Sequence, residues 1–348
     1  MGKFIRKTRK HLELGLRYST RILGAKNKFN VPLGKKLKAN LFGGYLADQH
    51  VLYDFDNNDR SEYLSEFDWY KSRYINEPFQ HMLDNKVVCT EVLKHYVRVP
   101  EIFVGKNHHR IIKYDSKVQT YEDIIHLLQR EGKLFIKPIN AGKGKGVYLL
   151  QSRDGKLFVD DNEKSEADLV RFLKRDDNWI ITESISQSAF LDGIYDKTTN
   201  TIRLITLRDI ESNEFKVFFA VQRIGTSKTI PVDNGSRGGL VAKIDLESGE
   251  LSVAKSLHSL ESHVVHPDSK SQIQGIRIPD WETIKDEVLA LANRFPFMNF
   301  IAWDILLMEE GFCIIEANTS SGVNIIQLWG GQRNQELGEF YRHYHVIK

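Results

Sequence analysis

Hydrophobic and polar positions follow two different rhythms along this chain, and the change of rhythm divides it. In the first part apolar residues recur at helical spacing. Residues 1–25 and about 60–96 are predicted as helices, and "SEYLSEFDWYKSRYI" sets aromatic and aliphatic side chains three and four apart. "NKVVCTEVLKHYVRVPEIF" is predicted as a helix that ends before Pro100, with a strand beyond it. "TYEDIIHLLQREG" reads as an amphipathic helix opened by a threonine cap and closed by Gly132. "LFIKPI" and "VYLL" then read as strands around a glycine-rich loop, followed by a helix over 166–175 and the strand "WIITESI". The second half switches to short apolar strands: "NTIRLITLRD", "FKVFFAVQRIG", "GLVAKIDLESGEL" and the pair "FIAWDILLMEEGFCIIEAN". One more helix, "DWETIKDEVLALANRF", interrupts them. The pattern predicts an α+β fold with several antiparallel hairpins, not a doubly wound parallel sheet. Boundaries fall near 85 and 183, giving a helical extension (1–85) and two subdomains (86–183 and 184–348).

Composition changes this picture in one place. With 41% hydrophobic and 27% charged residues the chain is that of an ordinary globular protein. No apolar run approaches the roughly 18–20 residues of a membrane span. No secretory signal is evident, and Cys89 and Cys313 sit in apolar strings as expected of reduced core residues in the cytoplasm. The net charge of +3, however, hides an asymmetry. Residues 1–40 hold 12 Lys/Arg against the single acid Glu13, while the remainder is net negative and seven acids crowd between Asp48 and Asp68. Such a segment suits an anionic membrane surface, or it packs against the acidic stretch; nucleic acid is the less favoured partner. A peripheral position at the inner face of the membrane is therefore the expectation.

Two stretches carry candidate chemistry. "KLFIKPINAGKGKGVYLL" places Gly142, Gly144 and Gly146 between two strands. A Walker loop runs from a strand into a helix, so this is a different device: a hairpin that either folds over a nucleotide as a flap or is a surface turn. The second stretch is "AWDILLMEEGFCIIEANTS", two apolar strands around Glu309-Glu310-Gly311. With Glu310 at the apex, Asp304 lies opposite Glu316, and alternation puts Asn318 on the same face. Facing carboxylates repel unless a cation lies between them, and hard oxygen ligands of this number suit Mg²⁺. On that reasoning Asp304→Asn or Glu316→Gln is expected to abolish turnover while relieving repulsion. Arg203, Arg223 and Lys137 are further polar insertions into strands, able to meet phosphate or carboxylate oxygens, the alternative for the two arginines being structural ion pairs with acids of the sheet. His258, His263 and His266 fit no compact zinc spacing. No convincing Ser/His/Asp or Cys/His set is present.

In this order, the pieces resemble the ATP-grasp superfamily, and more closely its sugar-transfer-associated family. The motifs are "LFIKPINAGKGKGV", "ITESISQ", "NTIRLIT", "DNGSRGG", "HPDSKSQIQGIRIPDW" and "IAWDILL…GFCIIEANTSSG", spread over about residues 80–330. Ala302 departs from the glycine expected before the Trp-Asp pair. The resemblance implies an ATP-grasp fold, two α+β subdomains clasping ATP, with Mg²⁺ on Asp304, Glu316 and Asn318. It implies Lys86 and Lys137 on the α/β-phosphates, and Glu183 with the Ile185 backbone near adenine and ribose. It puts Arg203 and Arg223 at the γ-phosphate and Arg237 at a substrate carboxylate. The implied reaction joins a carboxylate to an amine through an acyl phosphate, with a sugar acid or amino sugar of a surface polysaccharide or capsule as substrate. A hydroxyl-phosphorylating ATP-grasp kinase and a non-catalytic nucleotide-binding assembly protein are the rival implications.

Overall fold

The computed structural model describes residues 2–114, 118–140 and 146–348. The chain opens with helices α1 (Gly2–Arg17), α2 (Leu33–Leu41), α3 (Ala47–Leu52), α4 (Glu66–Ser72), α5 (His81–Asp84) and α6 (Lys86–Leu93). One helix over 60–96 does not form. Asn76 serves the second sheet instead, its Nδ2 donating to Phe300 O (2.6 Å) and its Oδ1 accepting from Asn299 N–H (2.7 Å). Pro78, two residues on, has no N–H for a helical ladder.

The first sheet holds β1 (Ile102–Asn107), β2 (Arg110–Lys113), β3 (Lys133–Pro138), β4 (Tyr148–Arg153), β5 (Lys156–Val159), β6 (Asn162–Lys164) and β7 (Trp179–Glu183), in the order β2-β1-β7-β3-β4-β5-β6. Every neighbouring pair is antiparallel. Helices α7 (Tyr121–Glu131) and α8 (Glu166–Arg175) bury one face of it around Ile124, Leu128, Leu169, Leu134 and Ile181. The α7 caps are those the sequence announces. Thr120 Oγ1 accepts from Asp123 N–H (3.1 Å), Asp123 accepts from Thr120 N–H (2.9 Å), and Gly132 ends the helix at φ +75°.

The second sheet holds β8 (Ile202–Arg208), β9 (Phe215–Ile224), β10 (Leu240–Ile244), β11 (Leu251–Ser256), β12 (Ser262–His263), β13 (Phe300–Leu307) and β14 (Phe312–Asn318), in the order β12-β11-β10-β9-β8-β13-β14, again all antiparallel. Every residue of β13 is buried, which is why that strand is apolar along nearly its whole length. One face of the sheet packs on α6, α9 (Ala189–Ile194) and α10 (Trp281–Asn293), with Cys89, Ile194, Trp281, Trp303 and Ile305 in the core. The other is covered at one end by Leu64, Ile75, α11 (Val323–Gln327) and α12 (Glu336–His343). The segment up to Val99 thus packs on the second sheet before the chain enters the first, and Glu183 N–H returns to Glu101 O (2.9 Å). A backbone bond ties the two halves together, from Lys86 N–H at the start of α6 to Ile139 O just after β3 (3.2 Å), while Ile314 N–H to Arg98 O (2.9 Å) holds the approach to β1 against β14. Among the described residues no helix is long and apolar enough to cross a membrane.

Candidate functional site

The uncovered end of the second sheet gathers charge on one face. Register places Asp304 opposite Glu316 on one side and opposite Arg203 on the other, while Ala302 faces Asn318. Arg203 in turn faces Val221, so Arg223, two residues along β9, points the same way. The Asp304–Glu316 pairing is reached by an unexpected route. Nearer the tip, Leu307 pairs with Phe312 and Leu306 with Cys313, one residue out of the register of a Glu310 apex. A bulge at Ile315 restores it. The tip itself closes by Met308 N–H to Gly311 O (3.1 Å), with Gly311 at φ +68°.

Each carboxylate already has a cation. The Arg203 guanidinium grips Asp304 as a fork, Nε on Oδ1 and Nη2 on Oδ2 (2.9 Å), and Arg223 Nη1 adds a third bond to Oδ2 (3.2 Å). Lys86 Nζ lies 3.2 Å from Glu316 Oε1. Burial alone would raise Asp304, yet the two guanidinia outweigh it and hold the carboxyl below its ordinary range. This reverses one expectation. Taking charge from Asp304 relieves no unbalanced repulsion; it strands two arginines. Lys137 reaches the cluster from β3 of the first sheet. Burial and the Lys86 ammonium push it down to about 8, and Glu316 pulls the other way. The two carboxylates and one amide oxygen suit a hard divalent cation such as Mg²⁺. Among the described residues no three His, Cys, Asp or Glu side chains converge as a metal group on their own.

The model of the sugar-transfer associated ATP-grasp family matches residues 67–337. The chain belongs to that family. An ATP-grasp fold is therefore what the two antiparallel sheets build, and residues 1–66 precede the match. Solved structures are similar at low identity. They include the ATP-grasp ligase PsnB complexed with minimal precursor, at 14% identity over 71% of this chain and 55% of that one, TM-score 0.37. The D-alanyl-alanine synthetase A of Vibrio cholerae gives 12% identity over 76% and 65%, TM-score 0.43. The N5-carboxyaminoimidazole ribonucleotide synthetase of Thermotoga maritima gives 10% over 79% and 48%, TM-score 0.37. The chain thus spans about half to two thirds of their length. No curated protein matches it significantly.

Other residues singled out in this ATP-grasp chain fall in different places. Glu183 ends β7 and is gripped by Arg98, whose Nη2 lies 2.5 and 2.6 Å from its two oxygens. Ile185 packs partly buried at the edge of the core beside it. Arg237 is exposed on a turn after β9, outside the ion-pair cluster. Gly146 has φ +75° and lies against Pro138, where a Cβ would come within 3.0 Å of the ring. Gly142 and Gly144 lie outside the described residues. The cysteines are buried, form no disulfide, and are pushed up to about 12 chiefly by burial, which makes them poor nucleophiles. His266 is a packing residue, stacked on Tyr195 and bonded through Nε2 to Gly225 O (2.8 Å).

Sequence reasoning missed the residues that hold the cluster in place. Asp233 is buried, bonds Arg223 Nη2 at 2.6 Å, and accepts from Thr201 N–H (2.7 Å) and Oγ1 (2.6 Å). Its only signal is an acid in the apolar run "TIPVD" just before "NGSRGG". Asp84 accepts from Thr319 Oγ1 (2.9 Å) and fixes the chain just beyond Asn318. A cavity of about 830 Å³ shares no residue with this cluster; Lys38, Phe42 and Arg60 of the N-terminal segment help to line it, together with Lys71 and Arg333.

Proposed function

We propose that this protein is an ATP-dependent carboxylate–amine ligase. The carboxylate of one substrate takes the γ-phosphoryl group of ATP, giving an acyl phosphate and ADP. An amine then attacks the acyl carbon, the amide forms and inorganic phosphate leaves. The observation that carries this reading is the cross-strand row Arg203–Asp304–Glu316, with Arg223 and Lys86 bonded into it and Lys137 held beside it by the other sheet. Phosphoryl transfer asks a protein chiefly for positioning and charge neutralisation, and these are the groups that supply both.

In this reading Lys86 and Lys137 hold the α- and β-phosphates, while Arg203 and Arg223 neutralise the transferring group. Arg237 meets the substrate carboxylate, and Glu183 and the Ile185 backbone border adenine and ribose. Asp304, Glu316 and Asn318 would hold Mg²⁺, which when bound draws charge from the phosphate oxygens. The first sheet, residues 101–183, and the second sheet with the α6 segment packed on it act as the two halves of the clasp, and the hairpin carrying Gly142, Gly144 and Gly146 lies over the phosphates. The substrates are a sugar (uronic) acid or amino sugar and an amino acid or amine, joined during surface polysaccharide synthesis. The work is cytoplasmic, and residues 1–40 hold the enzyme to an anionic membrane surface by charge.

The test is ADP release with Mg²⁺, ATP and a panel of uronic acids crossed with amino acids, read by mass spectrometry. Amine-dependent ADP release with an amide product supports the ligase. A phosphorylated sugar formed without an amine, or no turnover with any pair, overturns it.

A further inference from the structure

The N-terminal helices carry an apolar surface for which the ligase reading has no use. Leu33, Leu37 and Leu41 recur every fourth residue along α2, and Phe42 follows at its C-cap; they are 70%, 45%, 53% and 72% exposed. Leu12 and Leu16, also four apart, are 71% and 64% exposed on α1. These six are among only seventeen large apolar side chains exposed in the described residues, and all lie within the first 42. Their outward direction is fixed by what the opposite faces do. On α2, Ala39 is buried in a cluster with Tyr45, Tyr53 and Tyr63. On α1, Leu14 packs against Tyr70.

An exposed row of this size is a docking surface, not ordinary surface leucine. Charge identifies the occupant. Lys36, half-buried, and Lys38, exposed, flank the row on α2, and residues 1–40 have twelve basic residues to one acid. The acidic stretch after them answers only part of that charge. Asp56 takes Lys35, Asp68 takes Lys71 and Arg333, and Asp59 caps Ser61 N–H. Apolar side chains ringed by lysine suit the boundary between anionic headgroups and acyl chains. Lys35, Lys38 and Phe42 also line the cavity of about 830 Å³, whose other charged lining residues include Arg60, Lys71 and Arg333 with Asp56, Asp59 and Asp68, so a recess of mixed charge opens beside the row.

We propose that α2, with the outward row of α1, inserts shallowly into an anionic bilayer while its lysines meet lipid phosphate. This rests on the membrane reading above and replaces a contact made by charge alone with an inserted one.

The experiment uses the full chain with vesicles of phosphatidylglycerol and phosphatidylcholine, or phosphatidylcholine alone, in co-sedimentation. Wild type binds the anionic vesicles, and part of that binding survives about 1 M salt, where screening reaches within ~3 Å. Leu33→Ser/Leu37→Ser/Leu41→Ser/Phe42→Ser loses about tenfold in affinity and all of the salt-resistant part. The substituted positions are exposed, so circular dichroism of that variant stays as in wild type. In a separate Leu37→Trp variant the added emission is quenched by lipids brominated in the acyl chain. Equal binding of wild type and serine variant, both abolished by salt, would leave the charge reading standing and overturn insertion. No binding at low salt would overturn both. Self-association of wild type without lipid, lost in the serine variant, would assign the row to a second copy of the chain and overturn insertion too.

Discussion

Burial and the neighbouring Lys86 ammonium push Lys137 down to about 8, against the pull of Glu316. The folded value lies below that of an unfolded lysine, so the unfolded chain binds more protons between about 8 and 10.4, and in that window this group makes apo stability rise with pH. Nucleotide binding has the opposite sign, since only the ammonium attracts phosphate. ATP affinity is therefore expected to fall as pH rises through 8, and to stay flat there in Lys137→Arg; calorimetric titration from pH 7 to 9 decides it. Asp304 gives the second prediction at this scale. Asp304→Asn leaves Arg203 and Arg223 without their shared carboxylate, so it should destabilise by about 3 kcal/mol as well as abolish turnover. A variant that melts at or above wild type would show that the three side chains are not a coupled unit.

At the scale of elements, the loop after β9 is the one whose shape the cluster depends on. Gly225 lies so close to Thr198 that a Cβ would come within 2.2 Å of its hydroxyl, while Gly225 N–H donates to Asn200 Oδ1 (2.9 Å). Gly225→Ala must therefore shift the loop that carries Asp233. Stability is expected to drop by about 1–3 kcal/mol and turnover to fall with it, measured by thermal melting and ADP release. An active, equally stable variant would mean the loop adapts. Much at this scale was legible in the sequence because local chemistry dictates it: Thr120 and Gly132 bracket α7, and strand alternation brings Asp304, Glu316 and Asn318 to one face. The bulge at Ile315 was not legible, for an extra residue in an apolar strand leaves the hydrophobic pattern unchanged. Nor was the break near Asn76, whose amide is claimed by Asn299 and Phe300, more than 220 positions away. Asp233 escaped notice for the same reason: its partner Arg223 is set by a loop closure that no periodicity encodes.

Over the whole molecule the second sheet carries the carboxylates and the first brings Lys137 to them. Mg-ATP is expected to bind between the two and slow hydrogen exchange in peptides spanning β3 and β4 and at the start of α6. Unchanged exchange at saturating nucleotide would remove the clasp. The backbone bond between Glu183 and Glu101 has a consequence of another kind. It makes the first sheet a detour, leaving the rest of the chain and rejoining it at one spot. A segment whose ends coincide can be exchanged as a cassette, since a transplant has to match a single doorway and not two distant ones. Recombination between relatives could thus replace one hand of the enzyme while the carboxylate hairpin and the Asp233 loop pass unchanged to the descendant.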